Sequence, residues 1–450
     1  MRIHSLVLAC FCLGACRGPA DQPSAAFPIA PTEPALINDD GGWCWFQDER
    51  ALGLGQQVIV GSVATGRYDS GRSGNVEATL WTPSTGEARR WVLAEGLGRD
   101  DHNAPAFLAL EDDDLLAVYT RHGQDNKVRH RRLGGGLDEG SWSPEQAFSI
   151  DAGRARYGAT YSNLYQLSAT GIQLDFFRGV GWDPNVLRSV DGGRSWSWDG
   201  RLLGGPGRPY LRYASNGHDR VHFVATQQHP RDHDNGLFHG YLLGDQVHNS
   251  AGRPLAKVSA DTPLTPAELT CVFPGGPSAV AWPADLELSG DGQPVCLFTV
   301  QVDGADQPRG SGGQDHRFYL ARYGDNSWST SEIAFAGTRL YAGEDDYTGL
   351  GAIDPHNTAT LVISTDAHPL TGEPLVSSAD GERHRELFWG EAGEDDADAW
   401  TWTAITENSS MDQLRPIIPP GEPRVLLWLR GTLRSYTDYD LEVVGLPLPR

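Results

Sequence analysis

Short runs of apolar or alternating residues, each about five to seven long and bounded by Gly, Asp or Pro, recur along most of the chain. The clearest are Gln57–Val63, Leu115–Arg121, Ile172–Phe177, Arg220–Ala225, Pro294–Val300, Ala359–Ser364 and Arg424–Leu429. No apolar period of helical type is sustained over three turns. The pattern therefore predicts an all-β protein made of many short strands. The stretches Gly41–Val63 and Arg424–Val444, near the two ends, both read as strands. They are expected to complete one shared blade and close a ring, which removes the exposed edges of an open sheet.

The turns between these strands carry a repeat. Ser189-Val190-Asp191-Gly192-Gly193-Arg194-Ser195-Trp196 matches the Asp-box, in which an Asp ties down turn amides, Gly supplies a positive φ and Trp anchors the turn. Degenerate copies occur at Asp138–Trp142, Asp325–Trp328 and Asp396–Trp400. Their spacing gives a unit of roughly 55 to 70 residues, the size of a four-stranded propeller blade with its loops. The expected fold is a single β-propeller of seven blades of four antiparallel strands, with six as the alternative.

The N-terminus departs from this pattern. Met1-Arg2, an apolar run from Leu6 to Leu13 and the small residues before Cys16 describe an export signal, because the apolar run is too short to span a bilayer. Leu13-Gly14-Ala15-Cys16 resembles the bacterial lipobox, which implies lipidation of Cys16. The expected organisation is a signal peptide at 1–15, a Pro, Ala and Ser-rich tether at 16–36 and the propeller at 37–450. Such a protein is a cell-envelope lipoprotein of the outer membrane or periplasm, or is secreted, touching the membrane only through its lipid.

Composition sharpens the picture in two places. Gly 54, Pro 29 and Trp 14 suit tight turns. Cys44, Cys271 and Cys296 are too few for a disulfide scaffold, though export permits a Cys271–Cys296 pair. The net charge of −23 argues against nucleic acid as a partner, since phosphate binding needs a basic surface. The local exception runs from Arg121 to Arg132, where Arg121, Lys127, Arg129, Arg131 and Arg132 face only Asp125. It reads either as a solvated strand face or as a basic wall that gathers an anionic ligand.

Several segments together resemble the BNR-4 repeat family, a propeller group that includes the ulvan lyases. They are Asp40–Asp48, Asp100–Pro105, Tyr119–Gly123, Tyr161–Asn163, Phe177–Gly179, Asp346–Gly351, Asp412–Pro416 and Trp428–Gly431, in family order. The resemblance implies a polysaccharide lyase that cleaves an acidic, uronate-containing polymer by β-elimination as a monomer, with no cofactor needed for the chemistry. Such an enzyme must neutralise a carboxylate, remove the C5 proton and protonate the leaving O4. Arg suits the first task through its planar fork, and His or Tyr the other two. No nucleophile and no paired carboxylates are required.

Candidate catalytic residues follow. His102 starts one strand and His122 ends the next, and antiparallel neighbours of one blade bring such positions to the same rim. The resemblance adds Tyr161 and Arg178, with Tyr157 and Tyr165 close to the former. Asn103, Arg121, Tyr210, Arg212 and Tyr213 are candidate substrate contacts. His229, Asp232, His233 and His239 lie in a segment where related lyases carry a structural zinc; here Leu237 stands at the expected position of a Cys, so one ligand is missing. Two other readings compete. A sialidase-like hydrolase would use Arg178, Arg415 and Arg430 as a carboxylate-binding triad, but the Arg-Ile-Pro opening of such enzymes is absent. A non-catalytic sugar-binding propeller would need neither histidine.

Overall fold

The computed structural model describes residues 33–111, 114–151, 158–305, 307–308 and 310–449. The signal peptide, Cys16, most of the tether and Tyr157 lie outside them. Seven antiparallel sheets are arranged in sequence order as a seven-bladed β-propeller. Blade I comprises Ala51–Leu54, Gln57–Val63, Val76–Thr82 and Glu87–Ala94. Blade II comprises Ala106–Ala109, Leu115–Thr120, Lys127–Gly134 and Gln146–Ser149, and blade III comprises Thr160–Leu167, Ile172–Arg178, Pro184–Ser189 and Ser197–Arg201. Blade IV starts with Leu211–Ser215, Arg220–Ala225 and Leu237–Leu243 and carries extra edge strands. Blades V and VI span 280–337 and 351–404.

Blade VII closes the ring. Asp412–Ile417, Val425–Ser435 and Asp438–Pro447 pair in order, and the N-terminal strand Ala35–Asn38 completes the sheet, with Ala35 opposite Gly445. A shared blade was expected, but its N-terminal contribution is Ala35–Asn38 rather than Gly41–Val63. Gln57–Val63 instead pairs within blade I, on both sides, with Ala51–Leu54 and Val76–Thr82. The propeller thus starts at Ala35, inside the segment read as tether. Only four residues were needed to seal the ring, and a run that short carries no periodicity in the sequence.

Apolar residues fill the spaces between neighbouring blades. Phe176, Tyr213 and Phe223 pack together between blades III and IV, and Trp389, Leu426 and Trp428 between VI and VII. At the Asp191 turn the carboxylate accepts the amides of Arg194 and Ser195 and the Ser195 hydroxyl, while Trp196 lies edge-on to His130 of blade II. Asp325 and Asn326 both take positive φ in a two-residue hairpin, which matches the twist of the strands it joins. Cys271 and Cys296 are both free, one exposed and one buried.

The centre of the ring is plugged. Trp43, Cys44, Trp45 and Phe46 are all buried, with Phe46 stacked on Trp282 at 3.8 Å between ring centroids. Trp45 Nε1 donates to the carbonyl of Thr348, Arg212 to those of Trp45 and Gln47, and Arg415 to those of Cys44 and Gln47. Among the described residues no helix is long and apolar enough to cross a membrane.

Candidate active site

Asp100 opens the site. It caps the short turn Asp101–Asn103 between blades I and II, and its side chain accepts the backbone amide of His102. The turn points His102 toward His122, which follows the second strand of blade II. The two imidazoles stack with centroids 3.9 Å apart and planes 8° from parallel. Asp100 Oδ1 lies 2.8 Å from His102 Nδ1, and Oδ2 lies 2.8 Å from His122 Nδ1. Asp101 Oδ1 is a further 2.7 Å from His102 Nδ1.

These surroundings push the two imidazoles apart. Burial lowers the pKa of His102, but Cys44, Tyr161, Asp100 and Asp101 around it outweigh that effect and raise it well above the ordinary 6.5. Burial lowers the pKa of His122, and the charge on His102 lowers it further. Burial also raises Asp101 to about 6. A pair so separated can hold one proton donor and one acceptor at the same pH.

Tyr161 reaches the pair from blade III, its ring 5.2 Å from His102 and 6.3 Å from His122. Its φ of 60° falls in the left-handed region, where the pairing of Thr160–Leu167 with Ile172–Arg178 shifts register. A bulky residue at positive φ is strained, and here the irregularity redirects the side chain out of the strand pattern. Asp175 supports the distortion by accepting the amide of Asn163 and the hydroxyl of Ser162.

Arg178 completes the group. Its guanidinium carbon lies 4.9 Å from the Tyr161 ring and 4.1 Å from the Tyr210 ring. The side chain is 6% exposed, donates through Nη2 to the carbonyl of Pro209, and leaves Nε without a partner. No carboxylate among the described residues forms an ion pair with it. Aromatic faces offset part of the cost of burying the charge, at about 2 kcal/mol for a desolvated contact, but they leave Nε, in the plane of the fork, unfilled. A small depression beside it, with a cavity volume of about 20 Å³, is lined by Tyr161, Asn163, Phe177 and Tyr210 among others.

Three of the candidate substrate contacts have other work. Arg212 is 1% exposed and holds the plug carbonyls. Tyr213 borders the depression but packs on Phe176, 4.7 Å away, in the apolar layer between blades. Asn103 is buried, with Oδ1 accepting the His122 amide and Nδ2 donating to the Gly98 carbonyl, so it positions the loop. Tyr210 is at the site, as described. Arg121 is exposed beside His122, without a side-chain partner among the described residues. The basic wall is largely neutralised: Arg129 pairs with Asp125, Arg131 binds the Ser143 and Leu93 carbonyls, and Arg132 pairs with Asp114.

The expected zinc ligands do not converge. Among the described residues, no three of His229, Asp232, His233 and His239 bring ligand atoms within 4.8 Å of one another. His229 faces Tyr210 and Trp282, whereas His239 bonds Ser250 and His222 farther along the strand and packs on Trp328. Burial lowers the His239 pKa, and its imidazole bonds a hydroxyl and a second imidazole. The sialidase-like triad also fails to form, since Arg415 is engaged with the plug and Arg430 pairs with Glu442 at 2.9 Å. The groups that do meet the distance criterion are Asp100, His102 and His122, Cys44, Asp101 and His102, and Glu49, Asp285 and Glu287. In the first, both imidazoles already bond the carboxylate. In the third, burial and the neighbouring Glu49 raise the Asp285 pKa to about 7 in spite of Arg212 and Arg415.

Two residues of the site were not singled out in the sequence. Asp100 read only as a turn-former. Tyr436, at a hairpin tip of blade VII, is 40% exposed and lies edge-on to His102 and His122 at 5.1 and 5.7 Å; its carbonyl accepts the Asp101 amide. An aromatic at a hairpin tip was the one available signal.

The fold is similar to that of known proteins. A PL25 ulvan lyase solved bound to -GlcA(1-4)Rha3S- is similar, with a TM-score of 0.66 at 13% identity over 92% of this chain and 96% of that one. The polysaccharide lyase Uly1 superposes with a TM-score of 0.58 at 11% identity, over 94% and 100%. No curated protein matches the chain. At such identities the likeness concerns the fold. The BNR_4 model, described as a BNR repeat-containing family member, matches residues 45–336, and the chain belongs to that family.

Proposed function

We propose that the protein is a polysaccharide lyase that cleaves a uronate-containing acidic polysaccharide by β-elimination, with ulvan the first polymer to examine. The observation that carries this reading is Arg178, a buried guanidinium with an unpartnered Nε and no carboxylate of the protein paired with it. A uronate carboxylate supplies the missing acceptors, and its neutralisation acidifies the C5 proton. His122, the more exposed of the two imidazoles and the one with the lowered pKa, suits acceptance of that proton. The cationic His102 and the Tyr161 hydroxyl are the donors at hand for the leaving O4. The ulvan lyase folds support the reading.

The test is incubation of the purified protein with ulvan and other uronate polymers while following the ultraviolet absorbance of the unsaturated product. A rise that depends on Arg178 is expected. Binding of the polymer without any rise would favour a sugar-binding propeller, and absence of a rise with every uronate polymer would overturn the lyase. The leader and the Leu-Gly-Ala-Cys16 sequence support export as a lipid-anchored protein. Incorporation of labelled fatty acid into the exported chain, abolished by Cys16→Ser, is the matching measurement.

A further inference from the structure

The two stacked imidazoles share one support. Asp100 offers only acceptors when ionised, so each Nδ1 that approaches its oxygens at 2.8 Å must carry a proton. Proximity to the two imidazoles, above all to His102, lowers the pKa of Asp100 against the effect of its burial, which keeps it in that acceptor-only form. The carboxylate is also held by the turn it caps, through the His102 amide. The His122 backbone is fixed independently by Asn103, whose Oδ1 accepts its amide at 2.8 Å. Parallel rings 3.9 Å apart are unfavourable for two cations, and one anion between their Nδ1 atoms makes the stack tenable with one extra proton.

We propose that Asp100 is the positioning residue of this site, one carboxylate that fixes the tautomer of both imidazoles and so directs both Nε2 atoms away from itself as the atoms that exchange protons. The proposal rests on the lyase reading for its catalytic consequence, but its structural content can be tested without any substrate. Asp101 is the internal control, because it contacts His102 alone.

The experiment is nitrogen-15 NMR of the imidazoles in wild type, Asp100→Asn and Asp101→Asn, with kcat and KM measured on the same samples. In wild type, both rings are expected to carry a proton on Nδ1. In Asp100→Asn the side chain keeps its shape but retains one acceptor and gains a donor, so one ring is expected to move its proton to Nε2. The kcat should then fall about 10⁴-fold, the order seen when a carboxylate that sets an imidazole tautomer is replaced by its amide, while KM stays within about threefold. Asp101→Asn should leave the His122 signals unchanged.

An unprotonated Nδ1 on either ring of the wild type would overturn the proposal, even if the Asp100 variant failed to fold. So would an Asp100→Asn protein with both Nδ1 protons intact, or with wild-type kcat. If the tautomer shift is found and no uronate polymer is cleaved by the wild type, the shared anchor stands and the lyase reading falls.

Discussion

Arg50 and Arg178 are both buried guanidiniums near the inner strand of blade III, yet they differ in what surrounds them. Arg50 donates to the carbonyls of Asp48 and Ser162 and to the side chain of Asn163, so its fork is filled by the protein. Arg178 has one carbonyl, two tyrosine faces and an unfilled Nε. Burying a charge is costly unless it is paired and hydrogen-bonded. The first arginine ties the segment that follows the plug to blade III, while the second is left incomplete beside a small depression. Burial alone does not separate structural from functional charge; the state of the donors does.

The sharpest way to break this comparison is to remove each guanidinium. Arg178→Ala is expected to lower kcat/KM on a uronate polymer by at least about 10³-fold with the thermal midpoint unchanged or raised, since an incompletely paired buried charge is lost. Arg50→Ala is expected to destabilise the fold by about 3–5 kcal/mol, because the carbonyls of Asp48 and Ser162 and the side chain of Asn163 lose their donor inside the protein. Equal loss of stability in both variants, read by thermal or denaturant unfolding, would erase the distinction.

The histidine pair offers a second contrast, through pH. His122 must be neutral and His102 protonated for the proposed roles. The shift of His122 is downward, so the acid limb of kcat/KM should lie below the ordinary histidine value of 6.5; the shift of His102 is upward, so the alkaline limb should lie above it. The stability linkage has matching signs. The contribution of His102 is fully present below pH 6.5 and is lost as pH rises through its folded value, whereas that of His122 is present above pH 6.5 and is lost as pH falls through its own. A pH–rate profile with a single limb, or one unaltered by His122→Ala, would contradict this assignment.

Smaller effects probe the rim. Tyr436→Ala, which removes an exposed ring beside the imidazoles, should raise KM about tenfold and change kcat little if the ring supports a sugar face. Arg121→Ala should raise KM only about twofold to threefold at low ionic strength, and the difference should vanish in high salt, as for an exposed charge that acts by steering. An equal effect at all salt concentrations would point to direct contact by Arg121.

Much of the fold was legible because short apolar runs and turn residues report locally. Gln57–Val63 and Arg220–Ala225 were read with the boundaries they have, and the other strands within a few residues, apart from the last, which continues to Ser435. The four-residue closing strand was not legible, since its partner lies at the opposite end of the sequence. At the site, strand order in blade II put His102 and His122 on one rim, but their stacking was not legible. Arg178, Tyr161 and Tyr210 gather beside them through family order and blade packing. Asn103, Arg212 and Tyr213 resemble ligand contacts in composition, and only their hydrogen-bond partners and neighbours give them structural work.

The sequence by itself determined the period, the strand content, the turns and therefore a ring of blades, because those depend on neighbours a few residues apart. Tertiary structure alone decided which arginine is filled and which is open, that one carboxylate holds two imidazoles, that a tyrosine from the last blade closes over the first two, and that four histidines and aspartates never meet as metal ligands. Each of those outcomes depends on the direction of side chains from different blades. That direction is set by the closed ring and its plug, through contacts that no spacing along the chain records.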